Sequence, residues 1–184
     1  MVYKKSDSPS IKEVKDYWNR NPVHSVEFPD NADLKTYFEA IDDLRWSDNE
    51  RWAKSKFYDL EGDEDTRILS AGCGIGVFVR YYARKGFNVH AIDLTEKGVN
   101  LTKNSLKIFR LKGWVQVGSV EELPYPDDYF DYIVSNGVIH HTPNPEKAVK
   151  ELYRVLKPNG KLSVSIYYRN VLLRQPFWTL VRFL

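Results

Sequence analysis

Apolar positions recur with helical spacing through the first sixty residues and then as short, nearly unbroken runs. Ser10-Ile11-Lys12-Glu13 has the form of a capping box, a serine N-cap with glutamate three residues on, and predicts a helix to about Asn19, stopped by Asn21-Pro22. Ala32 to Arg45 reads as a second helix, with Leu34, Tyr37, Phe38, Ile41 and Leu44 on one face. Ser47-Asp48-Asn49-Glu50 repeats the capping-box signal and predicts a third helix toward Leu60. The polar stretch Glu61 to Thr66 then marks a boundary, so that residues 1–60 form a helical cap or lid.

Beyond it the pattern alternates. Strands are predicted at 67–71, 87–92, 114–117, 129–135 and 161–167. Helices are predicted at 76–85, ended by a left-handed Gly86, from near Thr95, and from Asn144-Pro145-Glu146, where asparagine serves as N-cap and proline as the first helical residue. The last of these carries Ala148, Val149, Leu152, Val155 and Leu156 on its apolar face and stops at Lys157-Pro158-Asn159-Gly160. Strands alternating with helices predict an α/β fold, a doubly wound, mostly parallel sheet with helices on both faces, occupying residues 61–170. Residues 171–184 form an apolar, aromatic tail.

Composition narrows the classes. A net charge of +2, with basic residues spread along the chain, is too small to argue for nucleic acid or an anionic membrane as partner. The single cysteine, Cys73, offers neither an internal disulfide nor a zinc set, and fits a reducing cytoplasm. No apolar run approaches the roughly 20 residues of a membrane span, and Met1 to Ser10 lacks the apolar core of a signal peptide. Trp18, Trp46 and Trp52 all precede residue 61, which fits either a cap folded over a pocket or plain helix-to-core packing.

The chemistry concentrates in Ile68-Leu69-Ser70-Ala71-Gly72-Cys73-Gly74-Ile75-Gly76, a strand entering a glycine-rich turn, and in Asp93 at the tip of the next strand. An α/β sheet holds an adenosine-containing cofactor in this way, with backbone close to the ligand and an acid on the ribose hydroxyls. The glycines follow G-x-G-x-G. A nicotinamide fingerprint would place the third glycine at position 77, where Val77 stands, so a dehydrogenase is disfavoured.

This loop resembles the first motif of class I S-adenosylmethionine (SAM) dependent methyltransferases. The resemblance runs from about Arg67 to Tyr168 through Gly118-Ser119-Val120-Glu121-Glu122-Leu123-Pro124-Tyr125, Phe130-Asp131-Tyr132-Ile133, His140-His141 and Arg154-Val155-Leu156-Lys157-Pro158-Asn159-Gly160. It is similar to the branch that includes the ubiquinone and menaquinone biosynthesis enzymes. The resemblance implies a Rossmann-like class I core, SAM as cofactor with S-adenosylhomocysteine as product, no metal, and a small-molecule methyl acceptor. It also implies that Ala71, Gly72, Cys73, Gly74 and Gly76 line the methionine and ribose end, that Asp93 holds the ribose diol, and that Leu94 lies beside the adenine. Ser119 and Val120 would meet the adenine edge, Asn136 would lie under the cofactor, and Tyr17 would close over it.

Two departures remove negative charge near a cationic cofactor and predict weaker binding. Ser70 and Ser119 stand where the family usually has acids; Asn159 for glycine is milder. For an acidic acceptor, His140, His141 and Tyr17, in that order, are the candidate bases, the histidines titrating near neutral pH. The alternative for the pair is a packing role. Ser135-Asn136-Gly137-Val138 lacks the Pro-Pro-aromatic motif of amino-directed nucleic-acid methyltransferases. A non-catalytic SAM-fold binding protein, or an inactive truncated enzyme, is the second reading. The family core continues past the fifth strand, so the chain is expected to lack the last strands and to leave an open sheet edge that favours self-association.

Overall fold

The computed structural model describes residues 9–21, 33–47 and 54–166. The predicted 171–184 tail and most of the third capping box lie outside these.

Helix α1 (Ile11–Arg20) opens with its capping box formed: Glu13 N donates to Ser10 Oγ at 3.3 Å, and Ser10 N to Glu13 Oε2 at 2.7 Å. Asn21 ends the helix by donating its backbone N–H to Tyr17 O. Helix α2 (Leu34–Arg45) is capped by Asp33 and buries Phe38, Ile41 and Asp42. The predicted stripe is thus rotated. Leu34 and Leu44 stay exposed, while a carboxylate takes a place inside. Lys54–Tyr58 forms one wide helical turn.

The α/β core is a five-stranded, all-parallel sheet in the order β3-β2-β1-β4-β5. Its strands are β1 (Arg67–Ala71), β2 (Asn88–Asp93), β3 (Trp114–Val117), β4 (Phe130–Asn136) and β5 (Leu156–Ser165). Helices α3 (Val77–Arg84), α4 (Glu96–Ile108) and α5 (Pro145–Val155) make the crossovers, as parallel pairing requires. β1 is buried along nearly its whole length, Ile68 facing one apolar cluster with Val79, Tyr82 and Val89, and Leu69 the other with Ile133, Ala148 and Leu152. Burial on both faces is what a central parallel strand demands.

Two expectations change at α5. Val149 is exposed, so the buried face is Ala148, Leu152 and Val155. Pairing also begins earlier than Lys161. Leu156 turns extended directly after the helix and pairs with Phe130, the Pro158-Asn159-Gly160 segment bulges outward with Asn159 at φ 65°, and regular register resumes at Tyr132 and Lys161. Helix and strand meet without a linker because β4's entrance is already tied there, Tyr129 N donating to Val155 O at 2.9 Å.

Candidate active site

The strand order reverses between β1 and β4, and such a switch point leaves a crevice outside the carboxyl ends of the strands. Helices α1 and α2 wall this crevice into a cavity of about 550 Å³.

The glycine loop lies on the cavity wall. Gly72 N and Cys73 N both donate to Ile92 O, at 2.8 and 3.0 Å, fastening the turn to β2. Gly72 sits at φ +81°, and a Cβ there would lie 2.3 Å from Val138 Cγ2, so only glycine fits. Gly74 sits at φ +52° with nothing within 4 Å of where a Cβ would stand. That bare, left-handed backbone facing open space is the kind of cradle a SAM-like ligand requires.

Asp93 lines the cavity at the tip of β2. Its Oδ2 accepts from Gly74 N at 2.8 Å, and its Oδ1 from Thr95 N and Thr95 Oγ1 at 2.9 and 2.7 Å. The carboxylate therefore ties the loop to the N-cap of α4. With two donors on Oδ1 and one on Oδ2, an acceptor position remains on Oδ2 for a ligand hydroxyl. Among the described lining residues Asp93 is the sole carboxylate, and Ser70, buried in β1, is not on the wall.

Ser119 and Val120 line the cavity on a segment held from outside by α5. Arg154 Nη1 donates to Tyr125 O at 2.8 Å and Nη2 to Leu123 O at 3.0 Å, while Leu123 N donates to Glu151 Oε2 at 2.8 Å. The Arg154 bond holds the Glu151 carboxyl below its ordinary range, keeping both partners charged. The shared Arg-Val-Leu-Lys-Pro motif thus positions the Ser119 segment. Asn136, at the end of β4, accepts a hydroxyl hydrogen bond from Ser165 through Oδ1.

Gly72, Cys73, Gly74 and Asp93 therefore share one cavity with Leu94, Ser119, Val120, Asn136 and His141. The remaining expected residues lie off its wall. Ala71 is buried in β1, and Gly76 is the left-handed N-cap of α3. His140 sits behind His141, their ring centroids 3.9 Å apart. Tyr17 corrects the reading of α1: its ring points out, 53% exposed, and its neighbour Trp18 faces the cavity with its ring 4.8 Å from His141. Burial lowers the pKa of both histidines, and His141 beside it takes His140 down to about 4. Burial pushes the Cys73 thiol up, leaving it uncharged.

Sequence reasoning missed Val138 and Thr142, which flank the His pair on the wall, and Ile41, Leu44 and Arg45 from α2. Only the first two carried a local signal, adjacency to the histidines.

A family model described as methyltransferase domain matches residues 69–164. An uncharacterized protein of Methanocaldococcus jannaschii is 32% identical over 165 residues, covering 90% of this chain and 65% of that protein. The ubiquinone/menaquinone biosynthesis C-methyltransferase of Vibrio parahaemolyticus is 33% identical over 111 residues, covering 58% of this chain and 43% of its own length. The chain spans about two thirds or less of these curated relatives. A solved SAM-dependent methyltransferase from Methanosarcina mazei superposes with TM-score 0.55 at 29% identity, over 59% of this chain and 56% of that one. With the family model covering more than half of its length and the glycine loop, Asp93 and switch point in place, the chain belongs to the methyltransferase domain family, with the class I SAM-dependent fold, and is similar to the ubiquinone and menaquinone biosynthesis members.

Proposed function

We propose that this chain binds SAM in the cavity and transfers a methyl group to an O, C or N nucleophile of a small molecule. The observation that carries this reading is the convergence of the glycine loop, Asp93 and His141 on one cavity. When bound, SAM supplies an activated methyl group on a sulfonium. Gly72, Cys73 and Gly74 would approach its methionine end, Asp93 its ribose, and Leu94, Ser119 and Val120 its adenine edge, with Asn136 beneath. The chain's main task is alignment, which is worth about 7–11 kcal/mol in well-oriented reactions.

His141 takes over from His140 as first candidate base because it alone of the pair is on the wall. Its lowered pKa keeps the imidazole neutral at pH 7 and able to accept a proton. Ile11, Val14, Trp18, Ile41 and Leu44 make most of the α1–α2 side apolar, with Arg45 at its end, which suits an acceptor with an apolar body. The described residues before 61 act as the cap and those from 61 onward as the cofactor core. No described helix is long and apolar enough to cross a membrane, and a reduced, buried Cys73 fits a cytoplasmic location.

Calorimetry and thermal shift with SAM and S-adenosylhomocysteine test the cofactor; millimolar concentrations producing neither heat nor stabilisation would overturn it. Label transfer from methyl-tritiated SAM to phenols, carbon acids and amines tests the reaction. Binding without transfer to any of them would mark a non-catalytic SAM-binding protein. For the base, activity should fall as pH drops through the lowered His141 pKa, and His141→Gln should remove that limb.

A further inference from the structure

We propose that Asp42, a residue of α2 off the cavity wall, positions the cofactor loop through Arg80; the proposal rests on reading Gly72–Gly76 as the SAM cradle. Arg80 is fully buried in α3, where a charged side chain survives only when paired. Its guanidinium divides its donors between two elements. Nε donates to Asp42 Oδ2 at 3.0 Å and Nη2 to Asp42 Oδ1, a fork-to-fork pair. Nη1 turns the other way and donates to Ile75 O at 2.6 Å, inside the glycine loop. Arg84 adds an outer arm, Nη1 to Asp42 Oδ2 at 2.7 Å, and does not reach the loop.

The loop is shaped to receive this donor. Gly76 sits at φ +83°, and a Cβ on it would stand 3.3 Å from Arg80 Nη1 and 2.9 Å from Thr102 Oγ1. Thr102 Oγ1 in turn donates to Gly74 O at 2.9 Å. Two successive loop carbonyls, those of Gly74 and Ile75, are therefore held by side chains that converge where Gly76 has none. Asp93 holds the Gly74 amide from the other side. The loop's peptide planes are fixed before any ligand arrives, and Asp42 fixes the rotamer of the arginine that does half of it. A buried ion pair seldom out-stabilises apolar residues of the same shape. Setting geometry is the role this one is placed for. The same helix carries Ile41 and Leu44 onto the cavity wall, so loop and wall keep one register.

Asp42→Asn retains the shape and one acceptor oxygen but removes the charge, whereas Arg84→Gln strips the outer arm alone. Two readouts decide: S-adenosylhomocysteine affinity by calorimetry, and amide exchange at Gly74 and Gly76 in ligand-free protein, both amides being hydrogen-bonded within the site. Losing one charge-assisted bond should weaken binding by Asp42→Asn about tenfold and speed exchange at both glycines. Arg84→Gln should lower Tm and leave both readouts unchanged. If Asp42→Asn does not fold, Arg80→Lys, which keeps the buried charge but reaches one partner at a time, should show the same pair of losses. A folded variant with wild-type affinity and wild-type loop exchange would reduce the cluster to a brace and overturn the proposal. Wild-type protein that fails to bind S-adenosylhomocysteine would instead overturn the cradle, and loop exchange alone would then decide the role of Asp42.

Discussion

The two described cap helices look alike in sequence and are held in opposite ways. Both are amphipathic, both open with a side-chain cap, and both face the same cavity. Helix α2 is sunk into the core: Phe38 is fully buried, and Asp42 is enclosed by Arg80 and Arg84. Helix α1 rests on the surface, burying only Val14 and touching α4 through the partly exposed Lys15–Glu96 pair at 2.6 Å. Its Trp18 meets His141 edge-on. One helix behaves as wall and the other as roof. A shared hydrophobic stripe says that a helix packs, and only the depth of its anchors says how firmly.

That contrast is open to test. Phe38→Ala should remove about 3–5 kcal/mol of global stability by urea unfolding, the cost of emptying a buried aromatic site, against about 1.5 kcal/mol for the two methyl groups lost in Val14→Ala. Equal losses would erase the distinction. Acid offers the next lever. The pKa of His140 is lowered from 6.5 to about 4, so the unfolded or opened state binds the proton first. The stability this group contributes is present above pH 6.5 and is lost as pH falls toward 4. Amide protection in α1 should fade over that window while α2 stays protected, and His140→Gln should flatten the response. Ser10→Ala removes the capping box and should cost about 1 kcal/mol, read as faster exchange in the first turn of α1 with the main melting transition unmoved. Lys15→Met should change stability by less than about 1 kcal/mol, a difference that disappears at high salt; a larger loss would mean that the roof is bolted down.

What was legible follows from range. The Ser10–Glu13 box, the Asn144 cap with Pro145 behind it and the left-handed Gly86 are decided within four residues, and each forms as expected. β1 and β3 match their predicted limits because their runs are bounded by chain breakers, Gly72 after β1 and Gly113 and Gly118 on either side of β3. The G-x-G-x-G spacing and Asp93 were readable for the same reason, since loop and acid lie on consecutive strands. Tyr17 against Trp18 was not readable. Adjacent helical residues point about 100° apart, and which of them meets the cavity depends on how α1 is rotated on its neighbours. Val138 over Gly72 was hidden as well, because a clash between residues 66 positions apart leaves no local trace.

The sequence by itself determined the order of the core elements, a mostly parallel sheet and the loop and acid that identify the family, because each depends on hydrophobic period, turn chemistry or neighbours along the chain. Tertiary structure alone decided that Asp42 turns inward to Arg80, that Arg80 reaches the Ile75 carbonyl, and that His141, ahead of His140, reaches the cavity. The reason is physical: a charge enters the interior only where a partner from another element awaits it, and no local pattern records that partner.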